Sequence, residues 1–235
     1  MSESMEDQKR MKIKRSGRKS SKTNSGALFS AEVAYAESIV RSSLGDNESS
    51  IAALRESLEH KHDYAPAIMS LGSAEYQLGR REKGRKLLYS LISLPKNTPD
   101  LIAIIDEAGD FLIQSRDYGD GLEFYRAAAD RFPEVAVFHQ GVGCCAGHQG
   151  LHDEAVAASR RALDFEPNNQ KLVNDFGYSL YEAGRLHEAE EMLQRAVRMD
   201  PSDKLARNNL ELCRKKKRGT KRSRSAGQSR RTPPV

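Results

Sequence analysis

Between residues 170 and 203 the apolar positions fall three and four apart. Val173, Phe176, Gly177 and Leu180 are apolar or small at i, i+3, i+4 and i+7, which is one face of an α-helix. Gly184-Arg185 follows as a tight turn, because glycine takes positive φ without steric cost. A second helix carries Ala189 and Ala196 and stops at Pro201, which has no N–H to donate and disfavours helical backbone at Asp200. The plan recurs upstream. Pro133, Pro167 and Pro201 stand 34 residues apart, and Gly109, Gly143 and Gly177 keep the same step. So do Gly121, Ala155 and Ala189, and Ala128, Ala162 and Ala196. Four registers in one phase define an internal repeat of helix pairs, each touching only its neighbours.

Counting back from the prolines predicts pairs at 102–135, 136–169 and 170–203. An earlier pair at 65–98 keeps the plan through Leu71-Gly72 and Gly79, with 99–101 as extra residues. A divergent pair at 29–64 rests on Gly45 and on Tyr64-Ala65-Pro66-Ala67 opening the next helix. Residues 204–218 predict a capping helix with Leu205, Leu210 and Leu212 inward, Arg207 and Asn208 in water, and Gly219 as its stop. The termini, 1–28 and 219–235, are rich in Lys, Arg, Ser and Gly. They hold too little apolar area to offset about 1–2 kcal/mol of backbone entropy per residue, so both are expected to be disordered.

Charge changes the picture more than composition does. The net charge is +5. Residues 29–213 nevertheless hold 20 Lys and Arg against 30 Asp and Glu, while 214–235 hold 10 basic residues and no acidic one. An acidic body thus carries two basic arms. Three cysteines suit a reducing compartment rather than a disulfide framework. No apolar stretch resembles a signal-peptide core, and Leu101-Ile102-Ala103-Ile104-Ile105 is far too short for a membrane span. A cytoplasmic location is expected, or a nuclear one in a eukaryote.

The stretches at 172–203 and 137–169 resemble tetratricopeptide repeats, with a small residue at place eight, Gly at fifteen, Ala at twenty and twenty-seven, and Pro at thirty-two. Pair 102–135 departs from the signature with Arg116 for Gly and Gly121 for Ala; pair 65–98 departs with Gly84 and Pro95. The resemblance implies an all-α, right-handed α-α superhelix (a solenoid of these repeats). It also implies a non-enzymatic scaffold or adaptor that holds a peptide segment of a partner along its concave face. The places lining that face in the family correspond to Asp106, Asp110 and Gln114, then Gln140, Cys144 and His148, then Lys171, Asn174, Tyr178, Tyr181 and Glu182. Asn174 and Gln140 are suited to bond a peptide main chain, and Tyr178 and Tyr181 to cover its apolar side chains. The lysine-and-asparagine clamp with which some members grip acidic tails is absent. With carboxylates at Asp106 and Asp110, a basic or neutral peptide is expected rather than an acidic one.

No catalytic motif appears, and no cofactor is implied. His139, Cys144, Cys145, His148 and His152 cluster in the sequence, and Cys144 and His148 stand at i and i+4 on one helix face. Cysteine is also a common filler between helices, so no metal site is assigned and a metal or thiol sensor is kept as a third reading. Lys215, Lys216, Lys217 and Arg218, with Lys221, Arg222 and Arg224, resemble a nuclear import signal and offer non-specific contact to polyanions. That supports the second reading, an accessory protein on nucleic acid or the ribosome. The same cations are able to occupy the chain's own acidic groove and compete with a partner there.

Overall fold

The computed structural model describes residues 25–228, with side chains described as far as Gly219. Disorder is expected over 1–28 and 219–235, yet 25–28 and 219–228 belong to helices, while 1–24 and 229–235 lie outside the described residues. Every regular element described is an α-helix. These are α1 (25–43), α2 (Asn47–His60), α3 (Ala65–Gln77), α4 (Arg81–Ile92), α5 (Leu101–Gln114), α6 (Tyr118–Arg131), α7 (Ala136–His148), α8 (His152–Phe165), α9 (Gln170–Glu182), α10 (Leu186–Met199) and α11 (Lys204–Gln228). The chain divides into two compact units, and the division falls inside α5, between Ala108 and Gly109.

In the first unit α1 lies on α2 through short polar side chains. Ser57 Oγ donates to the Ala31 carbonyl at 2.8 Å and Ser50 Oγ to the Ser38 carbonyl at 2.9 Å. Asp46 caps α2 by accepting from the Ser49 N–H at 3.1 Å, satisfying one of the orphan donors of the first turn. Leu54, Ala67 and Leu71 form a buried cluster with Tyr35, Ile51, Leu58, Tyr64 and Leu87 around it. Pro66 opens α3, where the missing N–H costs nothing. Glu75 is fully buried yet ionised, held by Arg55, Arg80 and Lys83. Burial alone would raise its carboxyl, but hydrogen bonds from Lys83, Arg55 and Arg80 bring it down to about 2.

The second unit stacks α6 to α11 on the last turns of α5. Small residues set its spacing. Tyr125 is buried with its ring close against both Gly109 of α5 and Gly141 of α7, and a methyl group on either glycine would overlap the ring. One layer on, Gly177 leaves room for Leu193, whose Cγ would stand 2.8 Å from an added Cβ. Ala155, Ala162, Ala189 and Ala196 are buried, whereas Pro133, Pro167 and Pro201 lie exposed just past α6, α8 and α10. Gly150 and Gly184 turn between helices at φ 74° and 77°. Arg116, where the pattern wants glycine, takes the same left-handed turn at φ 58°.

Two expectations for the last helix need correction. Leu205 and Leu212 face water, and the inward positions are Ala206, Asn209, Leu210 and Cys213. These keep the i, i+3, i+4, i+7 step, and small Ala206 and Cys213 fit a close approach that two leucines would block. Gly219 also fails to stop α11, which continues to Gln228. An interior glycine costs a helix only about 1 kcal/mol, and the Lys and Arg around it are good helix formers.

Candidate functional site

The first helices of the second unit's pairs, α7 and α9, stand side by side with α11 and expose one polar-aromatic face. Residues of neighbouring helices 33 to 35 apart in sequence meet across it. Gln140 Nε2 donates to Asp175 Oδ2 at 2.6 Å, Gln170 Nε2 donates to Asp203 Oδ2 at 2.7 Å, and Asn209 Nδ2 donates to Asn174 Oδ1 at 3.1 Å. These amides are therefore bonds between layers. Asn174, expected to offer its amide to a ligand, is 2% exposed; its carbonyl accepts from Asn209 and its amide nitrogen donates to Asp175. The geometry makes it a strut. Gln140 is half-buried and engaged in the same way.

Aromatic side chains remain at the surface. Tyr178 is 42% exposed, and its ring centroid stands 5.8 Å from that of half-buried Tyr181. Burial first, then the neighbouring Glu182 carboxylate, raises the Tyr178 hydroxyl, so it stays protonated at neutral pH. Lys216 of α11 places its ammonium 4.3 Å from the centre of the Tyr181 ring and donates to the Tyr181 carbonyl at 3.2 Å. This is a cation–π contact at the negative end of α9. Beside it Lys217 and Arg214 both reach Glu190 of α10, at 2.7 and 3.0 Å. Hydrogen bonds from Lys217, then Arg214, lower the Glu190 carboxyl to about 2. Lys215 and Arg218 point into water.

Further along the face, Asp110 is exposed and accepts from the Tyr125 hydroxyl at 3.2 Å, and Gln114 and Lys171 are exposed. Asp106 is half-buried on α5 and belongs to the first unit. Asp175, which sequence reading missed, is half-buried between Gln140 and Asn174; burial raises its carboxyl although both amides oppose the shift. Nothing but its place next to Asn174 marked it in the sequence.

The cysteine–histidine cluster disperses. His148 stacks on Tyr118 with centroids 3.9 Å apart, and buried His139 bonds the Pro133 carbonyl at 2.8 Å. Burial, then the charges of Asp175 and Asp110, raises the Cys144 thiol. Burial, followed by Cys144 and Asp110, pushes Cys145 up to about 12. Thiols held protonated are weaker nucleophiles and weaker metal ligands. Among the described residues no three His, Cys, Asp or Glu side chains group as metal ligands, and no helix is long and apolar enough to cross a membrane.

Residues 107–170 and 148–210 each match a family model described as tetratricopeptide repeat. Residues 107–210 thus carry tetratricopeptide repeats. Among curated proteins the chain is 28% identical over 102 residues to the small glutamine-rich tetratricopeptide repeat-containing protein 2 of Mycosarcoma maydis. The match covers 43% of this chain and 29% of that one, so the chain spans under a third of the relative's length. Among solved structures it resembles YrrB, a TPR protein with an unusual peptide-binding site, at a TM-score of 0.52 and 18% identity over 74% of this chain and 89% of that one. MamA of Desulfovibrio magneticus RS-1 gives a TM-score of 0.53 and 17% identity over 74% and 97%. At such identities the likeness shows the fold alone. A repeat fold of this kind supports a protein-interaction scaffold.

Proposed function

We propose that the chain is a non-enzymatic adaptor whose second unit holds a peptide segment of another protein on the face of α7, α9 and α11, together with Asp110 and Gln114. The observation that carries this reading is Tyr178, a large amphipathic ring left half in water beside Tyr181. Rigid aromatic rings with a polar tip are the side chains that most often dominate protein interfaces. Asp110 and Glu182 lie on the same face as acceptors, and the body from 29 to 213 is acidic. The segment is therefore basic or neutral, and its apolar residues rest on the tyrosine pair. YrrB, with the same fold, has a peptide-binding site.

The test is selection of a displayed random peptide library on the full chain, followed by titration of the enriched peptides. Enriched sequences should carry Lys or Arg beside an apolar residue, and Tyr178→Ala should weaken them about tenfold without lowering the melting temperature, as loss of an interface anchor does. Enrichment of acidic peptides, or indifference to Tyr178→Ala, overturns the reading.

A further inference from the structure

The first helix presents a second apolar surface, on the side turned away from α2. Phe29, Val33, Val40 and Leu44 are 67%, 51%, 58% and 78% exposed, with Ala36 exposed between them. Their spacing of four, three, four and four draws one stripe along α1 and just past its end, the spacing of a helix that pairs with another helix. The opposite side of α1 is satisfied. Ala31, Ala34 and Ser38 are buried, Ser57 and Ser50 bond its carbonyls, and Tyr35 meets Tyr64 edge-on at 5.6 Å. Repeat arrays normally end in a helix with a polar outer side. The outer side of α11 is mostly polar, with Glu211, Arg214, Lys215 and Arg218 in water beside Leu205 and Leu212. The outer side of α1 is mostly apolar.

We infer that this stripe pairs with the same stripe of a second copy of the chain, α1 against α1 in antiparallel order. The chain's undescribed segments do not supply a matching cover. Residues 1–24 hold Met1, Met5, Met11 and Ile13 as their large apolar side chains, scattered among eight Lys and Arg, and 229–235 hold only Val235. The stripe, in contrast, complements itself. From either end it reads large (Phe29 or Leu44), then β-branched (Val33 or Val40), then small Ala36 at the middle. A two-fold axis near Ala36 sets each large end of one copy beside a large end of the other and lets the two backbones approach at the small residue. An isologous contact needs that self-complementarity. The charges stay off the stripe: Glu37 and Arg41 pair with each other at 2.9 Å along its border.

The experiment is sedimentation velocity on the full chain across the micromolar range. The wild type should pass from a species of 26.2 kDa to one of twice that mass, and Val33→Glu with Val40→Glu should remain at 26.2 kDa with the same helical circular dichroism. In a Cys144→Ser background, Ala36→Cys should join two chains through a short bis-maleimide, because the axis brings that position beside its own copy. A wild type that stays single at every concentration overturns the inference. So does a double variant that still doubles in mass, or a doubled wild type whose Ala36→Cys form does not cross-link.

Discussion

Single positions where two backbones come close bear the heaviest constraint. Tyr125 fills a slot walled by Gly109 and Gly141. Gly141→Ala should therefore lower stability by about 1–3 kcal/mol, the cost of overpacking a close-packed site, read as a lower midpoint in urea. Gly26→Ala, where an added methyl meets nothing, should leave the midpoint unchanged or raise it slightly. Arg116 presents the opposite case. It holds the left-handed turn that Gly150 and Gly184 make without strain, at about 1–2 kcal/mol for a residue with a Cβ. Arg116→Gly should recover part of that, less the greater freedom of glycine in the unfolded chain, and raise the melting temperature. The eighth-place glycines were legible because their purpose is local and repeats every 34 residues. Asn174 was not, because its partner Asn209 stands 35 residues away and nothing in either neighbourhood marks the pair.

At the scale of the helix, ends marked by proline and turns marked by glycine were readable, since both act on the backbone where they stand. The orientation and end of α11 were not. The choice between Leu205 with Leu212 and Ala206 with Cys213 depends on how close α11 comes to α9 and α10, a distance that hydrophobicity does not encode. Its middle turns are tied down electrostatically, through Arg214 and Lys217 on Glu190. That carboxyl is held at about 2 in the folded chain, against 4.5 as the ordinary value. The unfolded chain is thus the first to take up the proton as pH falls. The contribution is complete above about 4.5 and is lost as pH drops through about 2. Urea unfolding followed on both sides of pH 4.5 should show stability falling on the acid side, and Glu190→Gln should flatten that part of the fall. Glu75 in the first unit contributes with the same sign, so the two variants together should flatten it further.

Over the whole molecule, charge is segregated in a way that the sum of +5 conceals. A body rich in carboxylates is joined to a C-terminal stretch of ten cations, and the described part of that stretch already touches the proposed docking face, where Lys216 covers the Tyr181 ring. A basic peptide arriving there meets a competitor fixed to the same chain, at an effective concentration of order millimolar. Deleting 219–235 removes five of the ten cations and leaves the packed part of α11 intact. A lysine-rich fluorescent peptide titrated at low salt should then bind the shortened chain several-fold more tightly than the full one. The gain should fade as salt rises, since exposed charges more than about 10 Å apart are largely screened at 0.1 M. Lys216→Ala alone should give a smaller gain in the same direction, because it uncovers one ring and leaves the remaining cations in place. Equal affinities for the full and shortened chains at low salt would mean that the basic stretch does not reach the face, and weaker binding by the shortened chain would make it part of the docking surface instead.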